Sequence, residues 1–102
     1  MPWQYLTVYR DHGEERHFSL CEVYLDDQGK LDFWVPNPEM SPGGEDITSL
    51  TRTLGLMLLD AQAWEPVRFD DLKVGLRLQP RLSQAERQRL KGLVEQFGHA
   101  GA

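Results

Sequence analysis

Cysteine is almost missing from this chain: Cys21 is the only one in 102 residues. That excludes an intrachain disulfide and any zinc site built on several cysteines. Long hydrophobic runs are missing as well. The longest, residues 56–59, has four members, far short of the roughly 20 that a membrane-spanning helix needs. The chain opens Met-Pro-Trp-Gln-Tyr, with neither a basic segment nor an apolar stretch, so no secretory signal is expected. With a single cysteine, the expected compartment is the cytoplasm. Histidines number three, and positions 12, 17 and 99 fit neither an H-x-x-x-H nor an H-E-x-x-H spacing. Neither a metal nor a cofactor is therefore expected.

What is present suits one globular domain. Hydrophobic residues make up 40% of the chain and charged residues 26%, a balance that can pay for folding. A chain of this size is expected to bury roughly 65% of its unfolded surface in one core. The net charge of −5 is unevenly spread. Residues 1–72 hold 14 acids and 5 bases, whereas residues 73–102 hold 2 acids and 6 bases. Either the basic tail rests on the acidic body or it meets an acidic partner.

Residues 3–10 are dense in aromatic and β-branched side chains and read as a strand. A polar turn is expected at 11–16, then a second strand at 17–25. Its alternation puts Phe18, Leu20, Glu22 and Tyr24 on one face and Ser19, Cys21, Val23 and Leu25 on the other. Both faces are largely apolar, which predicts a central strand covered on both sides. Asp26-Asp27-Gln28-Gly29-Lys30 reads as a hairpin loop into a third strand at 31–35. Short loops make the three an antiparallel meander within residues 1–35.

Prolines and glycines break regular structure at 36–45. Asp46 is the expected N-cap of a helix over 46–64, with Ile47, Leu50, Leu54, Met57, Leu58 and Ala61 on one side. Leu56 and Leu59 fall off that stripe, which suggests a contact on a second side. Pro66 fixes the end near Trp64. Residues 72–79 alternate apolar and polar and read as a fourth, near-edge strand. Ser83-Gln84-Ala85-Glu86 is a capping box opening a helix over 83–97, with Leu90, Leu93, Val94 and Phe97 on one stripe and Gly98 as its cap. The expected fold class is α+β: an antiparallel β-meander packed on a helix, in the order β-β-β-α-β-α. It leaves a second sheet face for the C-terminal helix or another copy of the chain to cover.

Trp3-Gln4-Tyr5, the run from Cys21 to Lys30, and Gly44-Glu45-Asp46 before a leucine-rich helix resemble a group of short bacterial proteins of unknown function. That group shares the pattern W-x-Y … E-V-Y-x-D-x-x-G-K … G-E-[TD] … L. The likeness covers about residues 3–61 and implies a fold but no activity. More distantly, the β-β-β-α order resembles the partial double-stranded-RNA-binding fold of HicB-type antitoxins, which implies an antitoxin role. The Pro/Gly loop departs from that pattern, and that family's small-residue helix is not seen.

Few residues suggest chemistry. Cys21, mid-strand beside Val23 and Leu25 in acidic surroundings, reads as a buried structural cysteine and not a nucleophile. Glu22 is the odd acid, lying in a strand that otherwise reads as covered. An ion pair with a neighbouring base is its expected fate, with a partner contact or a site acid as the functional readings. A trio of Glu22, Cys21 and a histidine would require a shared pocket. The 26–30 loop lacks the spacing and closing glutamate of a calcium loop. Arg87, Arg89 and Lys91 scatter around their helix and make a thin phosphate footprint, so nucleic acid is not expected as a partner. Aromatic residues are plentiful and are enriched at interface centres.

Together these features point to a small cytoplasmic, non-catalytic binding or regulatory protein. It acts through protein–protein contact, as a homodimer, with no membrane contact. Trp3, Tyr5, Glu22, Tyr24, Trp34, Arg87 and Lys91 are its candidate partner-binding residues. The alternative is an acidic inhibitor, or antitoxin-like protein, acting on a nucleic-acid-handling partner.

Overall fold

The computed structural model describes residues 2–35 and 45–100. The Pro/Gly segment at 36–44 and the Phe97 side chain lie outside the described residues. The described residues form four strands, two α-helices and one short 3-10 helix (Phe69–Asp71), in the order β1 (Trp3–His12), β2 (Glu15–Leu25), β3 (Leu31–Trp34), α1 (Ile47–Ala63), β4 (Val67–Arg68), the 3-10 helix and α2 (Gln84–Ala100). The fold is α+β. The sheet order is β3-β2-β1-β4, with the meander β1-β2-β3 antiparallel and β4 parallel to β1. No described helix is long and apolar enough to cross a membrane.

The hairpin of β1 and β2 is longer than expected. Residues 11–16 are not a broad turn: the ladder continues through Asp11↔Arg16 to His12↔Glu15 and closes on the two-residue turn Gly13-Glu14. The Arg16 guanidinium donates to the Asp11 carboxylate at 3.2 Å, so polar cross-strand pairs carry the arm beyond the core. The second hairpin forms as its sequence demands. The Asp26 carboxylate accepts from the backbone N–H of Gln28 (2.8 Å) and Lys30 (2.9 Å), and Gly29 takes φ +76.

Leu6 and Val8 of β1, Cys21 and Val23 of β2, and Leu31 of β3 form the inner face of the sheet. Leu6, Cys21, Val23 and Leu31 are fully buried. The chain after α1 closes this face. Leu72 and Leu78 are buried in the cluster, and Trp64, Val67, Phe69 and Leu76 pack against it.

That closure corrects two expectations. There is no strand over 72–79. Leu72, Leu76 and Leu78 point inward as the alternation says, but Gly75 at φ +89 turns the chain and leaves Val74 outside. The segment docks by a pair of backbone bonds, Leu31 N–H to Leu76 O (2.7 Å) and Gly75 N–H to Leu31 O (2.6 Å). The fourth strand is instead Val67–Arg68, paired with Val8 and Tyr9. Nor does the long helix cover a sheet face unaided: α1 meets β1 on one side and α2 on another.

Both helix starts are as expected. The Asp46 carboxylate accepts from Ser49 N–H at 2.7 Å. Ser83 and Glu86 exchange reciprocal bonds at 3.1 Å. Trp64 ends α1. The α1 stripe is only partly buried: Ile47, Leu54 and Leu58 are exposed and Leu50, Met57 and Ala61 half-buried, while the fully buried positions are Gly55 and Ala63. Gly55 is the point of closest approach to α2, where a Cβ would lie 2.5 Å from Val94 Cγ1. Among the described side chains of the α2 stripe, Val94 is buried, Leu90 half-buried and Leu93 exposed. The helix runs on through Gly98 to Ala100, so Gly98 is not a cap.

Candidate binding face

The sheet's other face is set by the same register. Alternation sends Trp3, Tyr5, Thr7 and Tyr9 to the side away from Leu6 and Val8, and pairing places them opposite Tyr24, Glu22, Leu20 and Phe18. Tyr24 in turn faces Phe33 across β2 and β3. One end of the face is therefore a row of three aromatics on three strands, Trp3, Tyr24 and Phe33. The other end is the Tyr9–Phe18 pair, about 20 Å away at the rise of an extended strand.

The rings interlock along each row and column. Trp3 meets Tyr5 edge-on at 5.3 Å, Tyr24 lies 5.6 Å from Phe33, and Tyr9 lies 5.7 Å from Phe18. Their outer surfaces stay in water: Trp3 is 49% exposed, Phe18 52% and Phe33 56%. Tyr9, Leu20 and Tyr24 are half-buried, and only Tyr5 is buried. The central strand is thus closed on its inner face and open on its outer one, contrary to the expectation of cover on both sides. The C-terminal helix does not supply that cover, because it packs on α1.

Charge is placed unevenly across the face. At the Tyr9 end, Arg16 lies 4.3 Å and Arg68 5.6 Å from the Tyr9 ring, and both guanidinium groups pair with Asp11. Arg16, as the leading hydrogen-bond donor, holds the Asp11 carboxyl below its ordinary range. At the centre, Glu22 is half-buried opposite Tyr5 and makes no ion pair among the described residues. The expected pairing with a neighbouring base is not formed. Burial first, then the carboxylates of Glu22 and Asp60, push the Tyr5 hydroxyl's pKa up.

Of the candidate residues, Trp3, Tyr5, Glu22 and Tyr24 come together here. Trp34 does not: paired with Val23, it turns inward and packs against the core. Arg87 and Lys91 lie on α2, in a separate cleft beside Trp64. Phe18, Phe33 and Tyr9 were not among the candidates, although their positions in the alternation already placed them on this side. Cys21 and Glu22 open onto opposite faces. The Cys21 thiol is buried, donates to Val35 O at 3.3 Å, and has its pKa raised by that burial. Those two groups share no pocket.

No family model, curated protein or solved structure matches this chain. The assignment of function rests on the site alone. An exposed, largely apolar sheet surface with one central carboxylate can bury area against another surface and offer one ionic contact.

Proposed function

We propose that this is a cytoplasmic, non-catalytic binding and regulatory protein acting through protein–protein contact, with the outer sheet face as its contact surface and a second copy of the chain as partner. The observation that carries this reading is the exposure of Trp3, Phe18 and Phe33 around the unpaired Glu22. Large aromatics left exposed are costly in water and valuable in an interface. A carboxylate held among them without a cation supplies specificity for a base brought by the partner. In a twofold face-to-face pairing, each Glu22 gains such a base if it meets the arginines at the far end of the other sheet, Arg16 and Arg68.

The alternative reading, an acidic or antitoxin-like inhibitor of a nucleic-acid-handling partner, draws less support from the geometry. Asp11, Asp26, Asp46, Asp60 and Glu86 are each engaged by the chain's own donors, which takes these five out of any phosphate-like array.

Sedimentation velocity over a range of protein concentrations tests the proposal. The wild type is expected to dimerise, and Phe18→Lys to remain monomeric with an unchanged far-UV circular dichroism spectrum. A wild type that is monomeric throughout, or a Phe18→Lys chain that dimerises equally well, overturns the contact.

A further inference from the structure

Arg87 and Lys91 are not used by the sheet face. They line a cleft of about 260 Å³ between α1 and α2, with Leu59, Ala63 and Trp64 as its apolar wall. The Arg87 guanidinium lies 5.0 Å from the centre of the Trp64 ring. Stacking occupies the flat face of a guanidinium and leaves its N–H donors free in the plane. Arg87 makes no ion pair among the described residues, and neither does Lys91. The two stand one helical turn apart, a like-charged pair at a spacing that is mildly destabilising by itself. Gln84 and Gln88, also one turn apart, line the same cleft and add amide donors. The one acid lining the cleft, Asp60, is already engaged: its carboxylate accepts from the Tyr5 backbone N–H at 2.9 Å.

A fixed fork of donors, a second cation, amide donors and an apolar wall form a site with one kind of complement. We propose that the cleft binds a small organic oxyanion, a carboxylate or phosphate on a compact apolar body. Arg87 and Lys91 hold the oxyanion, and Trp64, Leu59 and Ala63 hold the body. The volume lies just below the range typical of drug-sized ligands, so the body is no larger than a single ring. A bound anion would also relieve the repulsion between Arg87 and Lys91.

Titration monitored through the amide and indole N–H resonances of the full chain tests this. Benzoate and phenyl phosphate are expected to shift the Trp64 indole signal saturably, and the tighter of the two identifies the oxyanion. Benzyl alcohol, the same body without charge, is expected to leave it in place. Arg87→Gln and Lys91→Gln should each weaken anion binding about tenfold, the scale of one charge-assisted hydrogen bond. Lys91→Gln leaves the Arg87–Trp64 stack intact, so its loss of binding cannot be a packing effect. Four results overturn the proposal: no saturable shift with either anion, equal binding by benzyl alcohol, undiminished binding in both variants, or inorganic phosphate binding as tightly as phenyl phosphate.

Discussion

Leu6 and Phe18 sit on neighbouring strands of one sheet, and both are large and apolar. Leu6 has no exposure, whereas Phe18 is half in water. The difference lies in where the rest of the chain goes. Residues 64–78 return across the inner face and fill it with Trp64, Phe69, Leu72, Leu76 and Leu78. Among the described residues nothing comparable returns across Trp3, Phe18 and Phe33. The inner face also buries no polar side chain, whereas the outer one keeps a half-buried carboxylate at Glu22 and an unpartnered hydroxyl at Thr7. A face finished for folding excludes such groups, because each costs desolvation without return. On the proposed reading, a second copy of the chain completes the face that retains them.

The sharpest way to break this comparison is truncation on each side. Leu6→Ala removes fully buried methyl groups and is expected to cost about 3 kcal/mol, within the range of core leucines. Phe18→Ala removes more atoms but should cost the monomer under about 1 kcal/mol, since half of that ring is already in solvent. Urea denaturation at a concentration where the chain is monomeric measures both. Equal losses would mean that the outer face is also part of the core.

Thr7 offers a smaller test of opposite sign. Its hydroxyl is buried between Tyr5 and Tyr9 on the outer face with no hydrogen-bond partner. Thr7→Val keeps the branched shape and deletes the unpaired group, so it is expected to stabilise the chain by about 1 kcal/mol. A loss of stability in the same denaturation measurement would show that the hydroxyl has a partner, such as a bound water.

How much of this could be read beforehand depends on whether a feature is local. Which side each residue of β2 takes was fixed by alternation, and the pairing confirms it from Phe18 to Tyr24. The caps at Asp46 and Ser83 and the Asp26 loop are contacts over two to four residues, and each has a composition that announces it. The lid over the inner face is different. Leu72, Leu76 and Leu78 carry the alternation of a strand, but Gly75 bends the segment, and its backbone pairs with Leu31 at only one place. Period two reports inward-pointing side chains and not the ladder that usually produces them. The α1 stripe misled for a related reason. A helix contacted by β1 and α2 has two buried sides, and its closest approach is made by Gly55, which has no hydrophobicity to signal it. That Glu22 meets no cation among the described residues is a fact about neighbours far along the chain, so no window of sequence contains it.

The smallest expected effect concerns Asp60, which ties α1 to the open edge of β1. Its carboxylate accepts from the Tyr5 backbone N–H, and burial raises its pKa above the ordinary carboxylate range, with the hydrogen bond working against that shift. The folded chain therefore takes up the Asp60 proton at a higher pH than the unfolded chain, where the value is about 3.9. Between those two pH values the folded state binds more protons, so this group adds stability as the pH falls. Above the window the folded chain bears the cost of a buried charge. Asp60→Asn keeps an oxygen for the Tyr5 N–H and removes that charge. It is expected to raise the urea midpoint modestly near pH 7, with the gain shrinking to nothing below about pH 3, where both states of the wild type are protonated. Asp11, Asp26, Asp46 and Glu86 have lowered pKa values and act in the opposite sense, so the wild type as a whole still weakens in acid. The difference between wild type and Asp60→Asn isolates the one carboxyl that runs against them. A gain that stays constant with pH would locate the effect of the substitution in packing and not in charge.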